Sequence, residues 1–225
     1  MPTAVADELE VKDTGHGTTP PPRSGGRGGD GAGGGNSQPA APARSASVAV
    51  LGMYLLLATI TMFFAALSSA YIVRKGLGDD WQNLVLPRVM YLNTAALVLS
   101  SVLIERARGK LAAGALDAYR QWWAAASLLG VAFLAGQLVA WRELAEAGVF
   151  LATNPSSSFF YVLTGAHGAH LILGVLGLLY VGVRHWERAA NGAARRITAA
   201  QVAGVYWHFM DGLWVFLLLL LHAGR

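Results

Sequence analysis

Four side chains in the last third of this sequence have the types and spacing to do chemistry. His167 and His170 stand in TGAHGAH, and His208 and Asp211 stand in YWHFMDG. Each pair is three residues apart, so on a helix each pair shares a face. Imidazole and carboxylate groups so placed can bind one another between helices, pass protons, or hold a haem between facing histidines. All four lie inside long apolar runs. A carboxylate at the centre of a membrane helix costs on the order of 2.5–3.5 kcal/mol on insertion scales, so Asp211 needs a partner inside the protein.

The elements that position these groups are two apolar runs, about 159–183 and 199–222. Three more precede them, about 48–73, 86–104 and 121–141. Each is near the roughly 20 residues that cross a bilayer. A backbone at membrane depth has no water to bond, and no run alternates as a barrel strand would, so each run must be a helix. The expected fold class is all-α: a polytopic membrane protein with five transmembrane helices at 48–225. Residues 1–47 hold six of the eight prolines and the run GGRGGDGAGGGNS. They cannot bury enough apolar surface to offset their ordering entropy and are expected to be a disordered tail, not a cleavable signal peptide.

Composition agrees. The 225 residues are 54% hydrophobic and 13% charged, against roughly 25% charged in a soluble domain. There is no cysteine, which excludes a disulfide framework and a thiolate metal site. The sequence pI is about 9.6, but the basic residues sit in short segments beside the spans. They read as orientation signals and not as a nucleic-acid face. With a cytoplasmic amino terminus the inner segments carry twelve Lys and Arg and the outer ones five, so the amino terminus is expected inside and the carboxyl terminus outside.

Depth then suggests who meets whom. At ~1.5 Å per residue, His170 and Asp211 each lie about 17 Å from the outer ends of their runs. The expectation is a polar interhelical cluster of His167, His170 and Asp211, with His208 at its edge, serving as structural glue. A haem or metal site needs ligands at one depth, and His167 and His208 differ by about 9 Å. A proton relay needs a ladder of carboxylates to a surface, and the sequence displays none. Gln137 and Asn93 read as single interhelical hydrogen-bonding groups. Gly165, Ala169, Gly174 and Gly177 thin the fourth helix for close packing at its histidine face. Arg184, Arg188, Arg195 and Arg196 are an orientation signal and candidates for anionic lipid head groups. No nucleophile with its base, phosphate loop, dinucleotide turn or zinc motif is present, so no catalytic residue and no metal ligand is assigned.

TGAHGAHLILG (Thr164 to Gly174) and YWHFMDGLW (Tyr206 to Trp214), in this order, resemble subunit III of the haem–copper terminal oxidases. MFFAALSSAYIVRKG, LNTAALVLSS and GVAFLAGQ support the likeness, which covers about residues 48–222. The chain looks like the five-helix bacterial form, which lacks the first two helices of the longer form. The resemblance implies an accessory subunit without haem or copper of its own, these being held by partner subunits. It implies packing on subunit I, with subunits II and IV as further candidates, and bound phospholipid. It also implies a bacterial cell membrane and a complex that passes electrons to oxygen while pumping protons. Quinol-oxidase and nitric-oxide-reductase accessory subunits are relatives, and an independent membrane haem carrier or a small transporter would be the unrelated readings. Two positions depart from many relatives: Ile60 and Ala140 stand where glutamates are common, which shifts weight from proton handling to scaffolding.

Overall fold

A computed structural model describes residues 41–77, 81, 82, 84–184 and 192–223. It is all helical. The helices are α1 (Ala41–Leu77), α2 (Val89–Ala112), α3 (Leu116–Glu146), α4 (Pro155–Arg184) and α5 (Ala193–Ala223). All five are long and apolar enough to cross a membrane. The segment 1–40, expected as tail, lies outside the described residues. α1 begins at Ala41, inside the segment expected to be tail, because Ala, Arg and Ser tolerate a helix beyond the apolar run.

Helix ends follow local chemistry. Asn154 caps α4: its side-chain oxygen accepts from the Ser157 amide at 2.8 Å, and the Ser157 hydroxyl accepts from the Asn154 amide at 3.2 Å. Pro155 occupies the first helical position, where a missing N–H costs nothing. α4 therefore starts four residues before the apolar run that marks it in the sequence. α2 and α3 end at left-handed glycines, Gly114 (φ 72) and Gly148 (φ 78). Beyond each, an amide folds back on the helix: Ala115 donates to the Lys110 carbonyl at 2.9 Å and Val149 to the Leu144 carbonyl at 2.9 Å.

α4 and α5 form the middle of the bundle, with α1 against one side of them and the tightly paired α2 and α3 against the other. By backbone approach α1 packs on α4 and α5 and not on α2, its neighbour in sequence. Trp207, Trp214, Phe64, Phe133 and Phe160 are fully buried at the centre. Small residues let these rings in. A Cβ added at Gly130 would meet Trp207 at 2.5 Å, and one at Gly174 would meet Tyr206 at 3.0 Å. Gly174 thus serves packing against α5, whereas nothing lies near a Cβ at Gly177, and Ala169 is exposed. Hydroxyls within the spans turn back on their own helices, as Thr61 does to Leu57 and Thr164 to Phe160. Indole N–H groups bridge helices: Trp123 donates to the Leu178 carbonyl at 2.9 Å and Trp214 to the Thr94 hydroxyl at 3.0 Å.

Candidate functional site

His208 and Asp211 share the face of α5 that turns to α2. The residues they meet there are Ser101 and Glu105, four apart on one face of α2. Asp211 and Ser101 are each twelve residues from the ends of their helices. Those ends lie together, since the Tyr91 hydroxyl is 3.3 Å from His222 Nδ1. The two groups are therefore level, near mid-span.

Four side chains form one hydrogen-bonded chain. The Ser101 hydroxyl donates to Asp211 Oδ2 and also touches His208 Nδ1 at 2.8 Å. On its other edge His208 meets the Glu105 carboxylate, Nε2 to Oε1, at 2.7 Å. Glu105 is also ion-paired with Arg108. Burial grades along the chain. The Glu105 side chain is 52% exposed and that of His208 35%, while Asp211 is 7% exposed. Asp211 Oδ1 is buried and has no hydrogen-bond partner among the described residues. The outer part of the chain opens on a groove of about 470 Å³ lined by Ser101, Val102, Glu105, Arg106 and His208. Arg106 lies over the Trp122 ring on α3, 5.8 Å from its centroid.

The α4 histidines lie elsewhere. His167 is wholly buried beside Trp214, Phe133 and Phe64, with ring centroids 5.2, 6.3 and 6.4 Å away. Neither of its nitrogens has a hydrogen-bond partner among the described residues. His170 Nδ1 bonds the Ala166 carbonyl at 2.7 Å, and its own carbonyl accepts from the Tyr206 hydroxyl at 2.8 Å. Asp211 thus bonds a serine on α2 in place of an α4 histidine. Depth alone matched His170 to Asp211, but depth carries no information on which side of a helix a residue lies.

Other sequence candidates fall as follows. Asn93 is buried, with its side chain packed on Gly136 of α3, and Gln137 is buried with neither amide atom hydrogen-bonded among the described residues. Arg195 is exposed near the start of α5 and Arg196 is buried. Arg184 closes α4, and Arg188 lies outside the described residues. No group of three or more His, Cys, Asp or Glu is placed to hold a metal among the described residues. Ser101 and Glu105 went unassigned in the sequence reading. The signal for them was their spacing of four in LSSVLIE, which puts both on one face of the second span; their depth matches Asp211 and His208 only when counted from the observed start of α2 at Val89.

The family model of cytochrome c oxidase subunit III matches residues 46–223. The chain is 31% identical over 179 residues to cytochrome c oxidase subunit 3 of Thermostichus vulcanus, covering 77% of this chain and 86% of that one. It is 31% identical over 186 residues to the protein of that name from Bacillus sp. (strain PS3), covering 80% and 89%. The corresponding protein of Corynebacterium diphtheriae is 31% identical over 188 residues, covering 78% and 90%.

Proposed function

Since the chain belongs to the cytochrome c oxidase subunit III family, we propose that it is the accessory, cofactor-free subunit of an aerobic oxidase complex. It packs on the catalytic subunit I, with subunits II and IV as further neighbours. The complex passes electrons to oxygen and pumps protons. The observation that carries this reading is the match along all five spans, residues 46–223. The relatives bear the name cytochrome c oxidase subunit 3, which favours cytochrome c over quinol as the donor.

The chain is a multi-pass membrane protein. Its amino terminus faces the cytoplasm, as the distribution of Lys and Arg indicates. Anionic phospholipid is held at the cytoplasmic side, where exposed Arg195 supports the reading, with Arg184, Arg188 and Arg196 as further candidates. The apolar side chains that α1 exposes, among them Met62 and Leu55, suit a surface that meets lipid or a partner span.

The competing reading is a membrane haem carrier ligated by the histidines. The enclosure of His167 by three aromatic rings, with no exposure at all, counts against it. Mass spectrometry of intact complexes from native membranes tests both. The expected result is this chain together with a large haem-bearing partner, and no visible chromophore in the chain by itself. A purified single chain with a Soret band that disappears in His167→Ala would reverse the assignment.

A further inference from the structure

We propose that Glu105, His208, Ser101 and Asp211 form a proton relay that connects the groove between α2 and α5 to a buried carboxylate at mid-span. Its outer end is its more exposed end. Glu105 is half exposed on the groove and stands where charge resumes at the end of the second apolar run, followed by Arg106, Arg108 and Lys110. Its inner end is Asp211, 7% exposed, with one oxygen on Ser101 and the other without a partner among the described residues. This is the ladder of carboxylates that a linear reading of the sequence does not display, because its rungs come from two helices.

The hydrogens balance. Ser101 has one hydroxyl hydrogen, His208 two ring nitrogens, and each carboxyl one titrating site. Three arrangements of the same three hydrogens fit the contacts. In the first, Glu105 is protonated and donates to Nε2, Nδ1–H donates to Ser101, and Ser101 donates to an ionised Asp211. In the second, the Glu105 proton has crossed to Nε2, leaving an imidazolium between two carboxylates. In the third, Nδ1 has given its proton to the Ser101 oxygen as the Ser101 hydrogen passes to Asp211. Asp211 is then neutral and donates to Ser101, which donates to Nδ1. One proton has moved from Glu105 to Asp211 with no group left over. The contacts of 2.7 and 2.8 Å at the two imidazole nitrogens lie within proton-transfer reach. Arg108, paired with Glu105, and Arg106, at the groove wall, are cations beside the entrance.

The test is hydrogen–deuterium exchange at the Asp211 carboxyl group, followed by infrared spectroscopy on the whole complex in native lipid. Asp211→Asn identifies the band. Ser101→Ala is expected to slow exchange by about 100-fold, the lower range of what a positioned proton-transfer group contributes. Ser101→Thr, which keeps the hydroxyl, should exchange like wild type, a rescue that a merely structural role would not require. Glu105→Gln, at the exposed end, should also slow exchange, and it decides the matter if Ser101→Ala does not assemble. Wild-type exchange in Ser101→Ala or in Glu105→Gln overturns the relay, as does the absence of any carboxyl band that Asp211→Asn removes across the pH range. The relay does not rest on the identity of the partner subunits, and its failure would leave copurification with an oxidase unaffected.

Discussion

Asp211 bonds Ser101 across the seam between α5 and α2, and one turn away on the same faces His208 bonds Glu105. The two contacts lock the register of these helices, the inner one through a carboxylate buried at mid-span. The Asp211 contact would be costly to leave half made, since a buried polar atom deprived of its partner loses about 1–3 kcal/mol.

Asp211→Leu is therefore expected to lower the yield of assembled complex, with a loss of about 1–3 kcal/mol in bundle stability. It removes the carboxylate partner of the Ser101 hydroxyl, which keeps only His208 Nδ1. Turnover per assembled oxidase should fall less than yield does. Quantifying complex by haem content and activity in parallel distinguishes the two, and normal yield with lost turnover would contradict the expectation.

Glycine positions offer a paired comparison. Gly130→Ala puts a Cβ 2.5 Å from the Trp207 ring, and overpacking of this kind costs about 1–3 kcal/mol. Gly177→Ala meets nothing within 4 Å and should be neutral or gain up to about 1 kcal/mol from helix propensity. Thermal unfolding in detergent should order the variants as Gly177→Ala, wild type, Gly130→Ala from most to least stable.

Trp214 combines a ring packed on Phe133 and His167 with an N–H bonded to Thr94. Trp214→Phe removes the N–H and should cost about 0.5–1.5 kcal/mol, besides what the smaller ring leaves unfilled. Trp214→Ala opens the centre of the bundle and should cost about 3–5 kcal/mol. The same unfolding measurement reads both, and equal effects would mean that ring packing contributes little there.

At the start of α4, Asn154→Ala removes the acceptor for the Ser157 amide. The expected loss is about 0.5–2 kcal/mol, visible as faster amide exchange confined to the first turn of α4. Asn154→Asp keeps an acceptor and should preserve protection.

The spans were legible because apolar length is decisive in a membrane: five runs stood out, and five helices are long and apolar enough to cross. Their ends were less so. Residues such as Asp117 and Arg120 look like loop by hydropathy, yet they extend α3 through an i,i+3 ion pair at 3.5 Å. The site was half legible. His208 and Asp211 declared themselves by being polar at depth, but Ser101 is a residue that membrane helices usually satisfy internally. Glu105 read as the end of a span. Which face of α5 meets which helix depends on tertiary packing, and Trp207 between Gly130 and Gly174 helps to set that rotation. Spacing along one helix cannot supply it.

The separation of α1 from α2 bears on how the protein is made. α1 docks on α4 and α5, which are synthesised after it and after α2 and α3. Among the described residues α1 packs on neither α2 nor α3, so until α4 and α5 follow it crosses the membrane without a partner from those two helices. It is suited to the delay, as it holds the most apolar stretch of the five spans. Its nascent form is consequently the stage most open to an insertion factor, or to a helix of another subunit synthesised alongside it.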